Sequence, residues 1–253
     1  MGKLPPPGVA VASQFARVSP VEVEEGEMAR VVVFGSSDWA QLAHFYLVHD
    51  SPHEVAAFTV DASQRKADTY QGLPVVAFED IENIFPPSDF HMFIPMSFKK
   101  MSHNRAEKYR QAKQRGYRLI SYVSSKATTW PGFQCGDNCF IFEDNTIQPF
   151  VEIGNNVVMW SGNHIGHHTR IKDHVMITSH VVISGHCTIE EHCFFGVNST
   201  VRDETVVARE TLVGMGVTIA KDTKEFEIYR LPAAEPERVR SNQLRSLSHK
   251  SKG

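Results

Sequence analysis

The 253-residue chain sets 26 Lys and Arg against 29 Asp and Glu, for a formal charge of −3, and is 42% hydrophobic and 22% charged. Such a balance suits a soluble globular protein of one large or two small domains and argues against a general nucleic-acid-binding surface. No apolar run approaches the roughly 18 residues of a membrane span, and Cys135, Cys139, Cys187 and Cys193 form neither a disulfide framework nor a CxxC zinc spacing.

Residues 1–28, with "PPPG" and the acidic "VEVEEGE", hold no sustained period and read as a disordered leader, too proline-rich for a signal peptide. The chain is therefore expected to be cytoplasmic. Order should begin near Arg30. "RVVVFGSSDWAQLAHFYLVHD" predicts a buried strand, a small-residue turn and a helix with Trp39, Leu42, Phe45 and Tyr46 at helical spacing. "EVAAFTVD", "LPVVAFEDI", "DFHMFIP", the helix "RAEKYRQAKQRG" closed by Gly116, and "YRLISYV" continue the alternation to about residue 123. Residues 29–124 are thus expected to form a small α/β domain with a parallel, Rossmann-like sheet.

In that domain Gly35, Ser36 and Ser37 would offer donors to phosphates at a helix N-terminus, and Asp61 stands at a strand end where a carboxylate commonly meets a ribose or base. "PMS" at 95–97 belongs to the same sheet edge. A full G-x-G-x-x-G is missing, which argues against a dinucleotide redox cofactor.

After "SSKATTWPG" the grammar changes. Every sixth residue from Ile141 to Ile219 is apolar, fourteen positions without a slip: Ile141, Ile147, Ile153, Met159, Ile165, Ile171, Ile177, Ile183, Ile189, Phe195, Val201, Val207, Val213 and Ile219. Four residues after each stands, in most cases, a small or β-branched residue. This is the register of a hexapeptide-repeat β-helix over residues 125–222, in which three short strands make a coil of about eighteen residues and each sixth side chain points inward. Coils stack at the strand spacing of roughly 4.8 Å. The ends need caps, and residues 223–253 supply a segment, "KEFEIYRLPAAEPERVR", that can cover one end or run down the side, followed by a basic tail with five Lys and Arg between Arg238 and Lys252.

Between Ser161 and Gly196 lie seven of the thirteen histidines, and His168, His174, His180, His186 and His192 fall six apart, each three residues after an inward position. Equivalent places on a coil of three sides point about 120° apart, so consecutive members cannot share one metal within a coil, while His168 should stack on His186 and His174 on His192.

An α/β domain opening with "VVVFGSS" and followed by an unbroken hexapeptide domain resembles the sialic acid O-acetyltransferase (NeuD) and bacillosamine acetyltransferase (PglD) type of bacterial sugar acyltransferase, over about residues 30–222. The resemblance implies a left-handed β-helix, a homotrimer, acetyl-CoA in the groove between adjacent β-helices, and a nucleotide-linked sugar on the N-terminal domain. It implies no metal. The family's general base is a histidine in a segment of the form Ile-Glu-His-Glu, which falls here on "IGHHT". His167 then takes the base position, with His164 as the alternative, and Gly166 and His168 replace the flanking acids. A second family histidine falls on Met176. Asn163 and His168 are expected near the acceptor sugar, with Asp173 a further acid nearby. Thr178, Gly185, Gly196, Asn198, Gly214 and Gly216 are expected along the pantetheine arm, with the Gly185 N–H suited to an oxyanion.

The function expected is acetyl transfer from acetyl-CoA to an amino or hydroxyl group of a nucleotide-linked sugar, serving surface polysaccharide or glycoconjugate synthesis. Two alternatives stand beside it. One is a gamma-carbonic-anhydrase-like zinc enzyme, which requires a His-x4-His pair that the spacings here do not provide. The other is a non-catalytic nucleotide-sugar-binding scaffold.

Overall fold

The computed structural model describes residues 28–236, 238 and 240–243. Most of the leader and the end of the basic tail lie outside the described residues. Among the described residues no helix is long and apolar enough to cross a membrane.

The N-terminal part builds a five-stranded sheet from β1 (Arg30–Phe34), β2 (Glu54–Val60), β3 (Thr69–Tyr70), β4 (Leu73–Ala77) and β5 (His91–Phe93), in the order β3-β4-β2-β1-β5. All neighbours are parallel except β3 against β4. Between the strands run α1 (Asp38–Asp50), α2 (Ile81–Ile84) and, after β5, α3 (His103–Gln114). Both faces of the sheet are covered, and β1 shows why its sequence is apolar throughout. Val31 and Val33 face α1, while Val32 and Phe34 pack with Phe78, Ile81 and Ala112 on the other side.

The face of α1 differs from the expected one. Its buried residues are Ala40, Ala43 and Leu47, Phe45 is 55% exposed, and Trp39 and Tyr46 lean on aromatic residues of the β-helix. The helix lies between a sheet and a coil, so two narrow stripes replace the one apolar stripe of a surface helix.

From Tyr122 the chain winds into three stacks of parallel two-residue strands. The first face runs from Tyr122–Val123 through Phe140–Ile141, Val158–Met159, Met176–Ile177, Phe194–Phe195 and Leu212–Val213 to Ile228–Tyr229. The second runs from Thr146–Ile147 through His164–Ile165, Val182–Ile183 and Thr200–Val201 to Thr218–Ile219, and the third from Glu152–Ile153 to Val206–Val207. These stacks fit the left-handed β-helix. All fourteen six-spaced apolar residues are buried in a single core, each at most 6% exposed. Tyr122–Val123 pairs with Phe140–Ile141 and so already belongs to the β-helix, although its sequence continues the α/β pattern. Ile228–Tyr229 pairs in parallel with Leu212–Val213 and so adds one more strand to the first face.

The six-residue histidine spacing has a backbone cause. His168, His174, His180, His186 and His192 have φ between +56° and +66°, and Asn138, Asp144, Asn156 and Asn198 take the same left-handed conformation at equivalent corners. Each flat face must turn sharply into the next, and the turn places one residue per face in a region that favours Asn, Asp, His and Gly, although Phe150, Glu204 and Glu210 occupy it too.

The first face also carries the sheet domain. Phe140, Val158 and Met176, which point outward from the coil, are at most 2% exposed because they pack into one cluster with Val31, Leu47, Phe58 and Phe93. Docking is fixed by a column of corner residues eighteen apart, Asn138, Asn156, His174 and His192. Asn138 exchanges hydrogen bonds with the backbone of Ile94, Asn156 Nδ2 lies 2.9 Å from His174 Nδ1, and His192 Nδ1 lies 2.9 Å from the Met101 carbonyl.

Into this column projects Arg105 of α3, fully buried and, among the described residues, without a carboxylate partner. Its guanidinium donates to the carbonyls of Met96, Asn156, His174 and Val175 and to Asn156 Oδ1, at 3.1–3.3 Å. Burial pulls its pKa down to about 10, which leaves it charged at neutral pH. Five accepting oxygens replace the water a buried cation would lose.

Candidate active site

His167 sits two residues past the inward Ile165, where the second face ends, and its ring is exposed. Its backbone N–H donates to Gln148 Oε1 at 2.9 Å, which ties the loop to the preceding coil. The imidazole Nδ1 lies 3.1 Å from His168 Nδ1. His168 stacks on His186 one coil later, with ring centroids 4.8 Å apart and planes at 11°, and His167 stands edge-on to His186 at 5.0 Å. On the other side His168 meets exposed Phe150 at 4.7 Å. The expected stacking of His168 on His186 and of His174 on His192 is therefore present, the latter also at 4.8 Å.

Gly185 lies directly beside the His167 ring: a Cβ there would come within 2.9 Å of His167 Cε1 and 3.1 Å of Nε2. With no side chain at 185 the imidazole packs close against the backbone of the next coil, while the residue as a whole stays exposed. Gly166 differs, since a Cβ there would lie 2.5 Å from the Gly185 nitrogen and the Ser184 carbonyl carbon. Where the family resemblance set an acid, this chain needs the close approach of two coils.

The other expected site residues divide into groups. His164 is half-buried on the second face, and among the described residues it makes no ring contact or hydrogen bond with His167. Asn163 is 1% exposed. Its side chain donates to Asn145 Oδ1 and the Trp160 carbonyl and accepts from the Val181 N–H, so it holds coils together and has no surface to offer a sugar. Asp173 accepts from Asn155 N–H and Nδ2 at the opposite corner and does not orient His167. Met176 is buried under the sheet domain.

Thr178, Gly196 and Gly214 form one column of stacked positions after the first face, and Asn198 and Gly216 occupy the corner beside it. Gly185, at a different corner, does not join them. Gly196 and Gly214 are close-approach positions, with Cβ positions 2.5 Å from Met215 N and 2.9 Å from the Tyr229 carbonyl oxygen, and Thr178 Oγ1 donates to the Phe195 carbonyl at 2.8 Å.

In the sheet domain Gly35, Asp61 and residues 94–97 follow the carboxyl ends of β1, β2 and β5, so they share one edge. Gly35 has φ +115° and gives its N–H to the Thr59 carbonyl at 2.7 Å, while Ser36 and Ser37 are exposed ahead of α1. Asp61 is paired with Lys108 of α3, a residue the sequence reading missed. Lys108 also donates to Gln111 Oε1 at 2.9 Å and lies 4.8 Å over the Phe78 ring. An unpaired cation at the edge would have signalled an anion site. A helix lysine in "RAEKYRQAK" reads as solvated until the fold brings it to Asp61.

A cleft of about 400 Å³ at the end of α1, lined by Tyr46, Asp50, Lys126 and Glu143 among others, contains none of the expected site residues. Its two carboxylates are engaged. Tyr46 donates to Glu143 at 2.9 Å and Tyr122 to Asp50 at 2.6 Å. Partial burial raises the Asp50 carboxyl, but the hydrogen bonds from Ser125, Tyr122 and Ser124 outweigh it and hold the pKa at about 2.

The fold of a parallel β-helix joined to a sheet domain is shared with several solved structures, sugar acetyltransferases among them. Perosamine N-acetyltransferase from Caulobacter crescentus, solved with CoA and GDP-perosamine, superposes with a TM-score of 0.70 at 20% identity, over 79% of this chain and 92% of that one. The acetyltransferase domain of PglB from Neisseria gonorrhoeae matches at 0.68 and 18%, over 79% and 95%. WeeI from Acinetobacter baumannii matches at 0.62 and 18%, over 80% and 96%. At these identities the shared property is the fold. No protein-family model matches the chain, and no curated protein sequence does.

Proposed function

We propose that the protein is an acetyl-CoA-dependent acetyltransferase acting on an amino or hydroxyl group of a nucleotide-linked sugar in surface polysaccharide or glycoconjugate synthesis, with His167 as general base. The observation that carries this is the exposed imidazole of His167, packed beside Gly185, on a fold shared with a solved structure that holds CoA and GDP-perosamine. A hydrogen bond across the 3.1 Å contact between the two Nδ1 atoms requires one proton between them. With that proton on His167 and the lone pair on His168, His167 Nε2 presents its own lone pair to an incoming amine or hydroxyl. His168 then orients the base as the family's carboxylate would, without its charge.

As the acceptor attacks the thioester carbonyl, its proton passes to Nε2, the oxyanion is met by a backbone N–H such as that of Gly185, and CoA leaves as the thiol. Residues 29–124 are read as a Rossmann-like nucleotide-sugar domain, with Ser36, Ser37 and the Asp61–Lys108 pair at its binding edge, residues 125–222 as the acyltransferase domain, and the chain as cytoplasmic. The sheet domain rests on the first face, whereas His167 ends the second. This separation supports a homotrimer in which His167 of one subunit meets the sugar held by another, and CoA lies between the Gly185 corner of one coil and the Thr178, Gly196 and Gly214 column of its neighbour.

The test is thiol release from acetyl-CoA in the presence of GDP-, UDP-, dTDP- and CMP-linked amino sugars. One nucleotide class should support turnover, and His167→Ala should lower kcat roughly 10²- to 10⁴-fold while CoA still raises the melting temperature. Undiminished turnover in His167→Ala would remove the base assignment, and a melting temperature indifferent to CoA would remove the transferase.

A further inference from the structure

The imidazoles of His167, His168 and His186 converge on one exposed corner. One ring nitrogen from each lies within 4.8 Å of the other two. We propose that this corner is a binding site for a divalent transition metal of the zinc class, and that the bound ion switches the proposed base off.

Three neutral imidazoles suit zinc, nickel and copper, and they leave a fourth position open for water or a thiolate. With metal–nitrogen bonds of about 2.0–2.1 Å, two ligands of a tetrahedral ion stand roughly 3.3 Å apart. The His167 and His168 Nδ1 atoms already stand 3.1 Å apart, and His186, stacked on His168 at 4.8 Å with planes at 11°, brings a nitrogen into the same sphere by turning its ring out of the stack. The two corner histidines are fixed in the left-handed conformation at φ +58° and +56°, so their Cβ positions are set by the coil and not by the ligand. The exposure of all three residues leaves the ion a route in.

Six-spaced histidines alone cannot make such a site, because consecutive members point to different corners. His168 and His186 are eighteen apart, and His167 is outside the series.

A neutral imidazole has one lone pair and one N–H proton. When Nδ1 of His167 donates to a metal, the proton must reside on Nε2, which then cannot accept one from the acceptor sugar. The site therefore competes with the hydrogen bond to His168. This consequence rests on the assignment of His167 as base; the metal site does not.

The experiment is calorimetric titration of the purified, chelator-treated protein with zinc, alongside Co²⁺ absorption spectra, for the wild type and for His168→Asn, His186→Asn and His180→Asn. Asparagine is chosen because it tolerates positive φ, and melting curves confirm that each variant folds. The wild type should bind one ion per chain with a tetrahedral cobalt spectrum. His168→Asn and His186→Asn should weaken binding roughly tenfold or more, and His180→Asn, at another corner, should not change it. Absence of binding, or affinity unchanged in His186→Asn, overturns the site. Zinc should also suppress thiol release by the wild type, reversibly on chelation, and His186→Asn should need roughly tenfold more zinc for the same fractional loss. Metal binding that leaves turnover intact overturns the switch. The base assignment itself is judged without metal, by His167→Ala, so the two failures are distinct.

Discussion

Two glycines one coil apart carry opposite constraints. A methyl at position 166 meets backbone atoms of the next coil at 2.5 Å, and backbone atoms in a stack of parallel strands cannot step aside. Gly166→Ala should therefore cost about 1–3 kcal/mol in urea unfolding. A methyl at position 185 meets only the exposed ring of His167 at 2.9 Å, which is free to turn. Gly185→Ala should change stability by under about 1 kcal/mol, yet a displaced base can cost on the order of 10²-fold in turnover. The contrast fails if the two variants unfold at the same urea concentration, for then Gly185 too is a stacking residue. Neither role is legible in the sequence, where "IGHHT" and "ISGH" differ only in what precedes the histidine. The clash depends on the register of coils eighteen residues apart.

The corner column joining the sheet domain to the β-helix adds a titratable group. Burial, then the positive charges of His192, Arg105, Arg110 and His103, push the pKa of His174 down to about 3. The unfolded chain binds this proton near pH 6.5 and the folded chain refuses it, so stability is full above 6.5 and falls as pH drops from 6.5 toward 3. Partial exposure discounts the effect to on the order of 1–2 kcal/mol at pH 5. In His174→Asn, which places at this corner the residue found one coil earlier at Asn156, the drop in melting temperature between pH 7 and pH 5 should be smaller than in the wild type by a few degrees. Equal slopes would mean that His174 is hydrated in solution. The element that carries this column was half visible from sequence. The hexad register named every inward residue from Ile141 to Ile219, because a period of six survives in a single sequence whatever surrounds it. It placed the corner histidines but not their left-handed backbone. Arg105 was invisible: in "RAEKYRQAK" it is one cation among several, and only docking of α3 against the corners buries it. The stripe Trp39, Leu42, Phe45 and Tyr46 misled for a similar reason, since a helix packed on two sides has no single apolar face.

At the scale of the whole molecule, the proposed site is divided. The cluster joining the sheet domain to the coil is built on Phe140, Val158 and Met176 of the first face, and the contacts of His167 are to Gln148, His168, His186 and Gly185, all within the coil. One chain thus holds its proposed acceptor edge and its proposed base on different faces, and a second copy must bring them together if both act on one substrate. A closed ring of identical subunits does so with a heterologous interface, each subunit lending its base to one neighbour. The consequence is complementation. A chain carrying His167→Ala keeps an intact acceptor edge, and a chain carrying Asp61→Ala keeps an intact base. Each alone should be nearly inactive. Co-expressed in equal amounts they assemble at random, and about one quarter of the sites then combine both intact halves, giving about one quarter of wild-type turnover. A site contained within one chain predicts no recovery at any mixing ratio, because every chain would carry a defect in its own site. Activity measured against the mixing ratio therefore decides between a shared and a private site without a structure of the assembly.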